Sequence, residues 1–121
     1  MTQEDKELLL KDLCARLPYG VKMNHIADDE HSPKTLIGAA KDMITLKGLG
    51  GYECVDIEDY KPYLFPLSSM TKEQKIRCQA IQDMGASYSH HLIDRYNEWH
   101  LDYRGLIEKG LAIDATDKNI Y

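Results

Sequence analysis

The hydrophobic and polar residues of this chain show two different periodicities, and the change from one to the other occurs between Tyr60 and Met70. After a helical N-terminal segment, short stretches up to residue 58 show β-type patterns. From residue 71 onwards apolar residues recur every three or four positions, as they do on one face of a helix. The pattern predicts an α+β protein, and a length of 121 residues is typical of one globular domain.

The segment 1–18 has the pattern of an amphipathic helix. Thr2 with Asp5 three residues later is typical of a capping box, and Pro18–Gly20 predicts the helix end. The apolar stripe expected to face the core consists of Leu9, Leu10, Leu13, Cys14 and Leu17. The polar residues expected on the solvent side are Lys6, Glu7, Lys11 and Asp12.

Residues 21–58 predict a four-stranded antiparallel meander. Reversals at residues 28–33, Lys41–Asp42 and Gly48–Gly51 separate its strands. A meander of such short strands has one apolar face and two edges to cover. We therefore expect the strands to curl into a small partial barrel, similar in general look to SH3-like and Sm-like barrels, with the N-terminal helix closing one end.

Residues 59–70 form a segment rich in aromatic residues, with prolines at positions 62 and 66. This number of aromatic side chains argues against an exposed linker. Proline has no backbone N–H to donate, so the two prolines argue against a central strand. The segment is predicted to be an extended or 3₁₀ crossover that packs on the core.

The C-terminal part, residues 71–113, is predicted to be helical. Thr71 with Gln74 forms a second capping-box pattern, and Gly85 followed by Ser87–Ser89 predicts a break between two helices.

A third, short helix is predicted over Tyr103–Lys109. Asp102 stands at its N-cap position, and Gly110 stands where a helix end needs a left-handed residue. The polar residues 114–121 are predicted to be a frayed tail.

The chain holds 20 acidic and 15 basic residues, which gives a formal net charge of −5. The acidic excess lies in residues 1–60, and no basic run is present. Phosphate contacts dominate nucleic-acid affinity, so this balance argues against a nucleic-acid ligand. The acidic N-terminus does not resemble a secretory signal, and no stretch approaches the ~20 apolar residues of a membrane helix. We expect a cytoplasmic protein with no membrane partner.

No group of side chains predicts a catalytic, cofactor-binding or metal-binding site. Cys14, Cys54 and Cys78 are an odd set, far apart in sequence, so we expect buried structural thiols rather than disulfides or zinc ligands. Adjacent residues such as His90 and His91 do not share a helix face, which argues against a helical zinc site. The histidine cluster of the chain consists of His90, His91 and His100.

The acidic loop Asp28–His31 gathers oxygen and imidazole ligands, but it lacks the spaced pattern of a calcium loop. A solvated turn is favoured, and cation binding by this loop is left open. Gly48–Gly51 precedes a strand rather than a helix, and Ser68–Ser69 lacks a G-x-S-x-G context. Neither segment therefore predicts phosphate binding or nucleophilic catalysis.

Tyrosine is over-represented, with eight residues in this small chain. Tyrosine rings can build a core, but they are also enriched at protein interfaces, where the ring buries area and the hydroxyl finds a partner. We therefore expect a protein partner, either a second copy or another chain. The candidate partner-binding residues are Tyr63, Phe65, Tyr96 and Trp99.

Three segments carry a resemblance to other proteins: CVDIED at residues 54–59, KPYLFPLSSMT at 61–71 and DYRGLIEKGLA at 102–112. In these segments the chain resembles a group of short uncharacterised proteins from gut anaerobic bacteria and their phages or other mobile elements. The resemblance implies an origin in such an element. It implies no activity, cofactor or catalytic residue.

The leading hypothesis is a non-enzymatic cytoplasmic interaction or accessory protein of a bacterial mobile element or phage. The alternative is nucleic-acid binding through the face of a small barrel. The cations available for that role are Lys22, Lys34, Lys41, Lys47 and Lys61. A third hypothesis is an enzyme whose site assembles from distant residues. The histidines available to such a site are His25, His31, His90 and His91.

Overall fold

A computed structural model describes residues 1–27 and 33–121, so the acidic loop 28–31 lies outside the described residues. Helix α1 spans Gln3–Arg16, and a 3₁₀ turn follows it. The Thr2 hydroxyl accepts a hydrogen bond from the Asp5 amide at 3.1 Å, and the Asp5 carboxylate accepts one from the Thr2 amide. The predicted capping box is therefore confirmed.

The buried face of α1 differs from the predicted stripe. Leu9 and Leu13 are fully buried as expected, but Asp12 is also fully buried and Cys14 is exposed. Leu9, Asp12, Leu13 and Arg16 are three or four residues apart and therefore lie on one helix face. Asp12 can be buried there because Arg16, one turn later, neutralises its charge.

The sheet has seven strands within the described residues. The strands are β1 (Lys22–His25), β2 (Lys34–Ala40), β3 (Met43–Gly48), β4 (Gly51–Asp56), β5 (Tyr60–Pro66), β6 (Leu101–Asp102) and β7 (Ile113–Asp114). Their order is β4-β3-β2-β1-β5-β6, and β7 also pairs with β5. Strands β1 to β5 pair antiparallel, whereas β6 and β7 each run parallel to β5.

The predicted meander is present, but the predicted partial barrel is not. Ala40 pairs with Met43 and Gly48 with Gly51, so both short hairpin turns are confirmed. Gly51 has φ +109°, a conformation that favours glycine. The free side of β1 pairs with β5, so the meander extends sideways as an open sheet instead of curling closed.

The prediction that residues 59–70 avoid a central strand was wrong, because Tyr60–Pro66 forms β5 between β1 and β6. The Ile26 amide donates to the Asp59 carbonyl at 2.9 Å, which makes these two residues a hydrogen-bonded pair. Further hydrogen-bonded pairs between β1 and β5 then occur at every second residue along the strands. Pro62 faces Met23 at a position between these pairs. The strand tolerates this proline because its missing N–H would point away from β1.

The C-terminal part contains two α-helices, α2 (Lys72–Asp83) and α3 (Ser89–Glu98), among the described residues. The capping box of α2 is confirmed, since the Thr71 hydroxyl accepts from the Gln74 amide at 3.1 Å and the Gln74 side chain accepts from the Thr71 amide at 2.9 Å. The break predicted near Gly85 is also present, as a 3₁₀ turn over Ala86–Tyr88.

The predicted third helix is reduced to a single turn over residues 106–110. Its capping chemistry is nevertheless as expected. Both carboxylate oxygens of Asp102 accept hydrogen bonds, from the amides of Leu106 and Ile107 at 2.9 Å. Gly110 has φ +74°, and the Leu111 amide donates back to the Leu106 carbonyl. The left-handed glycine ends the helix after one turn.

The prediction that residues 114–121 fray was wrong as well. The Ala115 amide donates to the Leu64 carbonyl at 2.8 Å, and Ala115 is buried. Tyr121, the last residue, places its hydroxyl between β1 and β5, where it accepts from the Lys22 amide and donates to the Tyr63 carbonyl, both at 2.8 Å. The C-terminal segment therefore packs along β5, and its last residue bridges β5 to β1.

Candidate functional site

Helices α2 and α3 form an arm that is poorly covered by the rest of the protein; we call residues 72–93 the helical arm. The two helices pack against each other. Of the residues of α2, all of which the structure describes, Cys78 alone is buried. Its sulfur lies 3.9 Å from that of Met70 at the base of the arm. Most of α2 therefore faces solvent.

An apolar stripe runs along the outer side of α2; we call Ile76, Ala80 and Met84 the arm stripe. These residues are four positions apart and so follow one face of the helix. Ile76 is 61% exposed and Met84 57% exposed. Tyr88 and Ile93, in the turn after α2 and in α3, are also exposed. Exposed apolar side chains grouped on one face of a helix are typical of interaction sites on soluble proteins.

The charge of the arm differs from that of the whole chain. Residues 72–93 carry three basic and two acidic side chains, whereas the whole chain has a net charge of −5. The basic side chains are all exposed and lie in the first half of α2. They are Lys72, Lys75 and Arg77. The exposed surface of α2 is therefore apolar along the stripe, with three basic and two acidic side chains around it.

A pocket of about 260 Å³ lies at the base of the arm, and Phe65 and Trp99 both line it. The two residues of the α2 capping box and Asp117 lie at the same pocket. Its volume is below that of typical drug-sized ligand sites, so it fits a single side chain or a small molecule.

The structure separates the four predicted partner-binding residues. Phe65 and Trp99 meet at this base pocket. Tyr63 is fully buried and so offers no surface to a partner. Tyr96 is half-buried and stacks on Tyr103, with ring centroids 5.7 Å apart. Of the four predicted residues, only Phe65 and Trp99 therefore lie together at one surface pocket.

A buried ionic network joins α1 to the segment that follows α3. Arg16 and Asp12 are both fully buried. Arg16 donates to both Asp12 oxygens, at 2.7 and 3.2 Å, and to the Leu101 carbonyl at 2.6 Å. Arg104 donates to the same Asp12 carboxylate at 3.2 Å. One buried carboxylate therefore contacts two guanidinium groups, of which Arg16 is fully buried and Arg104 partly exposed.

The network continues into α3 through Tyr103. Both guanidinium groups of the network lie about 5 Å from the Tyr103 ring centroid, within cation–π distance. The Tyr103 hydroxyl accepts from Arg104 at 3.2 Å and donates to the side-chain oxygen of the buried Asn97 at 3.0 Å. These bonds fix the C-terminal end of α3, and with it the base of the arm, to the body.

His100 lies beside this network and is held neutral. Its ring stacks on Tyr121 with centroids 3.7 Å apart, and its Nδ1 is buried without a hydrogen-bond partner among the described residues. Burial lowers the pKa of His100 to about 4, and the charges of Arg16 and Lys22 act in the same direction. Burial also raises the pKa of Tyr121, whose hydroxyl sits between strands although 41% of the residue is exposed.

The protein is expected to lose stability as the pH falls from about 6.5 to about 4. In this range the unfolded chain binds a proton on His100 that the folded protein does not bind, whereas above it the imidazole is neutral in both states. The difference between the pKa values of His100 in the unfolded and folded states corresponds to a decrease of at most about 3 kcal/mol in the free energy of unfolding. Because the ring is partly exposed, we expect a smaller decrease of about 2 kcal/mol.

Urea denaturation of the protein and of His100→Gln, near pH 7 and near pH 4, tests this effect. Carboxylates contribute equally to both proteins, so the variant should lose about 2 kcal/mol less on acidification. Equal losses would show that His100 does not titrate in this way.

Within residues 1–27 and 33–121, the histidines and cysteines do not belong to any group of three possible metal ligands. His25 packs against Tyr60 in the sheet, whereas His90 and His91 lie on the arm. The prediction of buried thiols holds for Cys78 but was wrong for Cys14 and Cys54, which are exposed.

The five lysines proposed for nucleic acid lie in different surroundings, although Lys22 and Lys47 both pair with Thr35 and so share one face of the sheet. Lys34 is ion-paired with Glu53, and Lys22 donates to the Thr35 hydroxyl at 2.7 Å. Lys47 lies over the ring of the exposed Tyr52. Lys41 sits in the β2–β3 turn with φ +53°. One of the five lysines is thus ion-paired, and the others are spread over β1, β3, β5 and the β2–β3 turn.

Sequence reasoning predicted helical spacing for the residues of the arm stripe but did not identify the stripe as an exposed surface. A signal was present in the spacing: the apolar residues of α2 lie on two sides, with Cys78 on one and the stripe on the other. A helix that is apolar on two sides has more apolar surface than one contact with the body can cover.

No protein-family model, curated protein or solved structure matches this chain. Among the described residues, no helix has both the length and the apolar character needed to span a bilayer. The functional interpretation therefore rests on the geometry of the arm and its base.

Proposed function

We propose that this protein is a non-enzymatic interaction protein that binds a partner protein on its helical arm. The exposed arm stripe is the observation that carries the proposal. Burying an isoleucine or methionine side chain at an interface is worth about 1.5–3 kcal/mol. A partner that covers Ile76 and Met84 therefore gains several kcal/mol from two side chains that are already presented on a regular helix.

The surface chemistry supports a partner that presents an apolar helix with acidic flanking residues. Side chains four residues apart on one helix fit the groove of another helix by ridge-into-groove packing. The exposed Lys72, Lys75 and Arg77 beside the stripe favour carboxylates at the edge of the contact. The base pocket, lined by Phe65 and Trp99, offers a second place for a partner side chain.

The arm is pre-organised for this role. The contacts of Tyr103 with Asn97 and Arg104 fix the end of α3 on the buried network. The capping box fixes the start of α2. A surface already held in its binding conformation loses little conformational entropy when the partner docks.

The distribution of basic residues favours a protein partner over a nucleic acid. Lys34 is ion-paired with Glu53. Lys22 donates to the Thr35 hydroxyl and Lys47 lies over the Tyr52 ring, although the two lysines share one sheet face. A role as an accessory protein of a bacterial mobile element or phage accords with the resemblance carried by residues 61–71 and 102–112.

The double variant Ile76→Glu/Met84→Glu is expected to weaken partner binding by at least about 100-fold, because two buried apolar contacts are replaced by unpaired charges. The tagged protein is used to capture its partner from native cells with and without nuclease, and the partner, once identified, is titrated in purified form. Both substituted positions are exposed, so the free energy of unfolding should change by less than about 1 kcal/mol.

Ile26→Glu/Ile37→Glu is the matched control, since these isoleucines are also exposed but lie outside the arm. It should bind as tightly as the unmodified protein. Equal binding by both double variants would contradict the proposal, and so would capture that disappears on nuclease treatment.

A further inference from the structure

Strand β4 is an edge strand of the sheet within the described residues. The Ile57 amide donates to the Asp42 carbonyl at 2.8 Å, which places the hydrogen-bonded pairs between β3 and β4 at every second residue from there. Tyr52, Cys54 and Asp56 fall between these pairs. Their backbone N–H and C=O groups therefore point away from β3, toward the open side of the sheet.

This edge lacks three of the features that often protect an edge strand from pairing, namely proline, lysine and a bulge; of its two acidic residues, Glu53 is ion-paired with Lys34 within the chain. β4, whose sequence is GYECVD, contains no proline or lysine, and its register with β3 is regular over all six residues. The bulge of the sheet lies in β2 instead. Cys54 is exposed, and Tyr52 is 69% exposed. An open, regular edge of this length is a template for another strand.

We propose that β4 pairs antiparallel with β4 of a second copy of this chain, around a two-fold axis at Cys54. In this register Cys54 faces Cys54 of the second copy, and Tyr52 faces Asp56 of the second copy. All three outward-pointing residues of each chain then form hydrogen-bonded pairs, and each pair exchanges two backbone hydrogen bonds.

Neighbouring registers are less favourable. A shift that places Glu53 opposite Glu53 of the second copy sets like charges face to face, which is destabilising. A shift in the other direction pairs Tyr52 with residue 58, which lies in the 3₁₀ turn after β4. The register centred on Cys54 instead places Glu53 opposite Val55, so no acidic side chain faces another.

Charges on the outer face of the sheet support the same register. Within one chain Lys47 pairs with Tyr52 and its ammonium lies 5.8 Å from the ring centroid. In the dimer, Asp56 of the second copy lies directly beside that Tyr52. The row across the interface therefore alternates a cation, an aromatic ring and a carboxylate, a complementary cross-strand arrangement.

Light scattering of the purified protein tests the oligomeric state. The unmodified protein is expected at twice the monomer mass of 13.9 kDa. Cys54→Lys should shift it to the monomer mass, because it sets two lysines face to face at the axis, whereas Cys54→Thr should remain dimeric. A monomeric unmodified protein, or a dimer that Cys54→Lys leaves intact, would overturn the proposal.

Disulfide trapping tests the register. Directly opposed residues in a hydrogen-bonded pair have Cα atoms about 5.5 Å apart, within the range that a disulfide spans. Mild oxidation of Cys14→Ser should yield a covalent dimer, whereas Cys54→Ser, which keeps the exposed Cys14, should not. A covalent dimer through Cys14 alone would overturn the assignment. Both tests are independent of the partner of the helical arm.

Discussion

Replacing Asp12 by alanine is expected to lower the free energy of unfolding by about 3–5 kcal/mol, because the change leaves a buried positive charge without its partner. Arg16 has no exposed surface, and its Nη1 has no hydrogen-bond partner among the described residues. Asp12 is also the carboxylate that receives Arg104. Its loss therefore leaves two guanidinium groups close together with no compensating charge.

Urea denaturation of Asp12→Ala and of two comparison variants measures this effect. Glu7→Ala removes an exposed carboxylate from the same helix and should cost less than about 1 kcal/mol. Asp12→Leu with Arg16→Met removes both buried charges and should recover at least half of the loss, since an apolar pair needs no compensation. A cost below about 1 kcal/mol for Asp12→Ala would contradict a buried, charge-paired network.

Replacing Tyr121, the last residue of the chain, by alanine is expected to cost about 3 kcal/mol. The hydroxyl joins β1 to β5 through Lys22 and Tyr63, and each hydrogen bond contributes about 1 kcal/mol. The ring also stacks on His100 at 3.7 Å and lies near Phe65. Such aromatic contacts add about 0.5–1.5 kcal/mol.

Tyr121→Phe separates these contributions, because it keeps the ring and should lose about 1–2 kcal/mol through the two unpaired backbone groups. Tyr88→Ala, at an exposed turn of the arm, serves as the control and should cost less than about 1 kcal/mol. Thermal or urea denaturation gives all three values. If the alanine variant at position 121 is no less stable than the control, the tail does not hold the sheet together.

Local signals in the sequence predicted the helix starts and the turns correctly. Thr2 and Thr71 cap their helices by hydrogen bonds to residues three positions away, so the pattern and the contact lie in the same short segment. The turn at Gly48–Gly51 and the helix break near Gly85 are set by glycine in the same local way.

The wrong predictions concern residues whose environment comes from distant parts of the chain. Asp12 is buried because Arg16 and Arg104 converge on it, and Arg104 is far away in sequence. Pro62 enters a central strand because its register with Met23 places no hydrogen bond at that position. Tyr121 is anchored by strands that begin about a hundred and about sixty residues earlier. No short window of sequence contains these relations.

The candidate site was predicted only in part. Phe65 and Trp99 were identified from composition, and the structure brings them to one pocket. The arm stripe was not identified, because helical spacing alone shows that Ile76 and Met84 share a face but not whether the body covers that face. Coverage depends on how α2 is held by α3, which is a property of the tertiary structure.

Photo-crosslinking from position 76 in native cells tests the central proposal most directly. A photoreactive residue replaces Ile76 in one protein and Ile26, an exposed isoleucine in a turn of the body, in another. We predict that position 76 yields one protein adduct whose crosslinked segment is an apolar helix flanked by Asp or Glu, and that position 26 does not yield this adduct. The same adducts from both positions, or a nucleic-acid adduct at position 76, would contradict a partner-binding role for the arm.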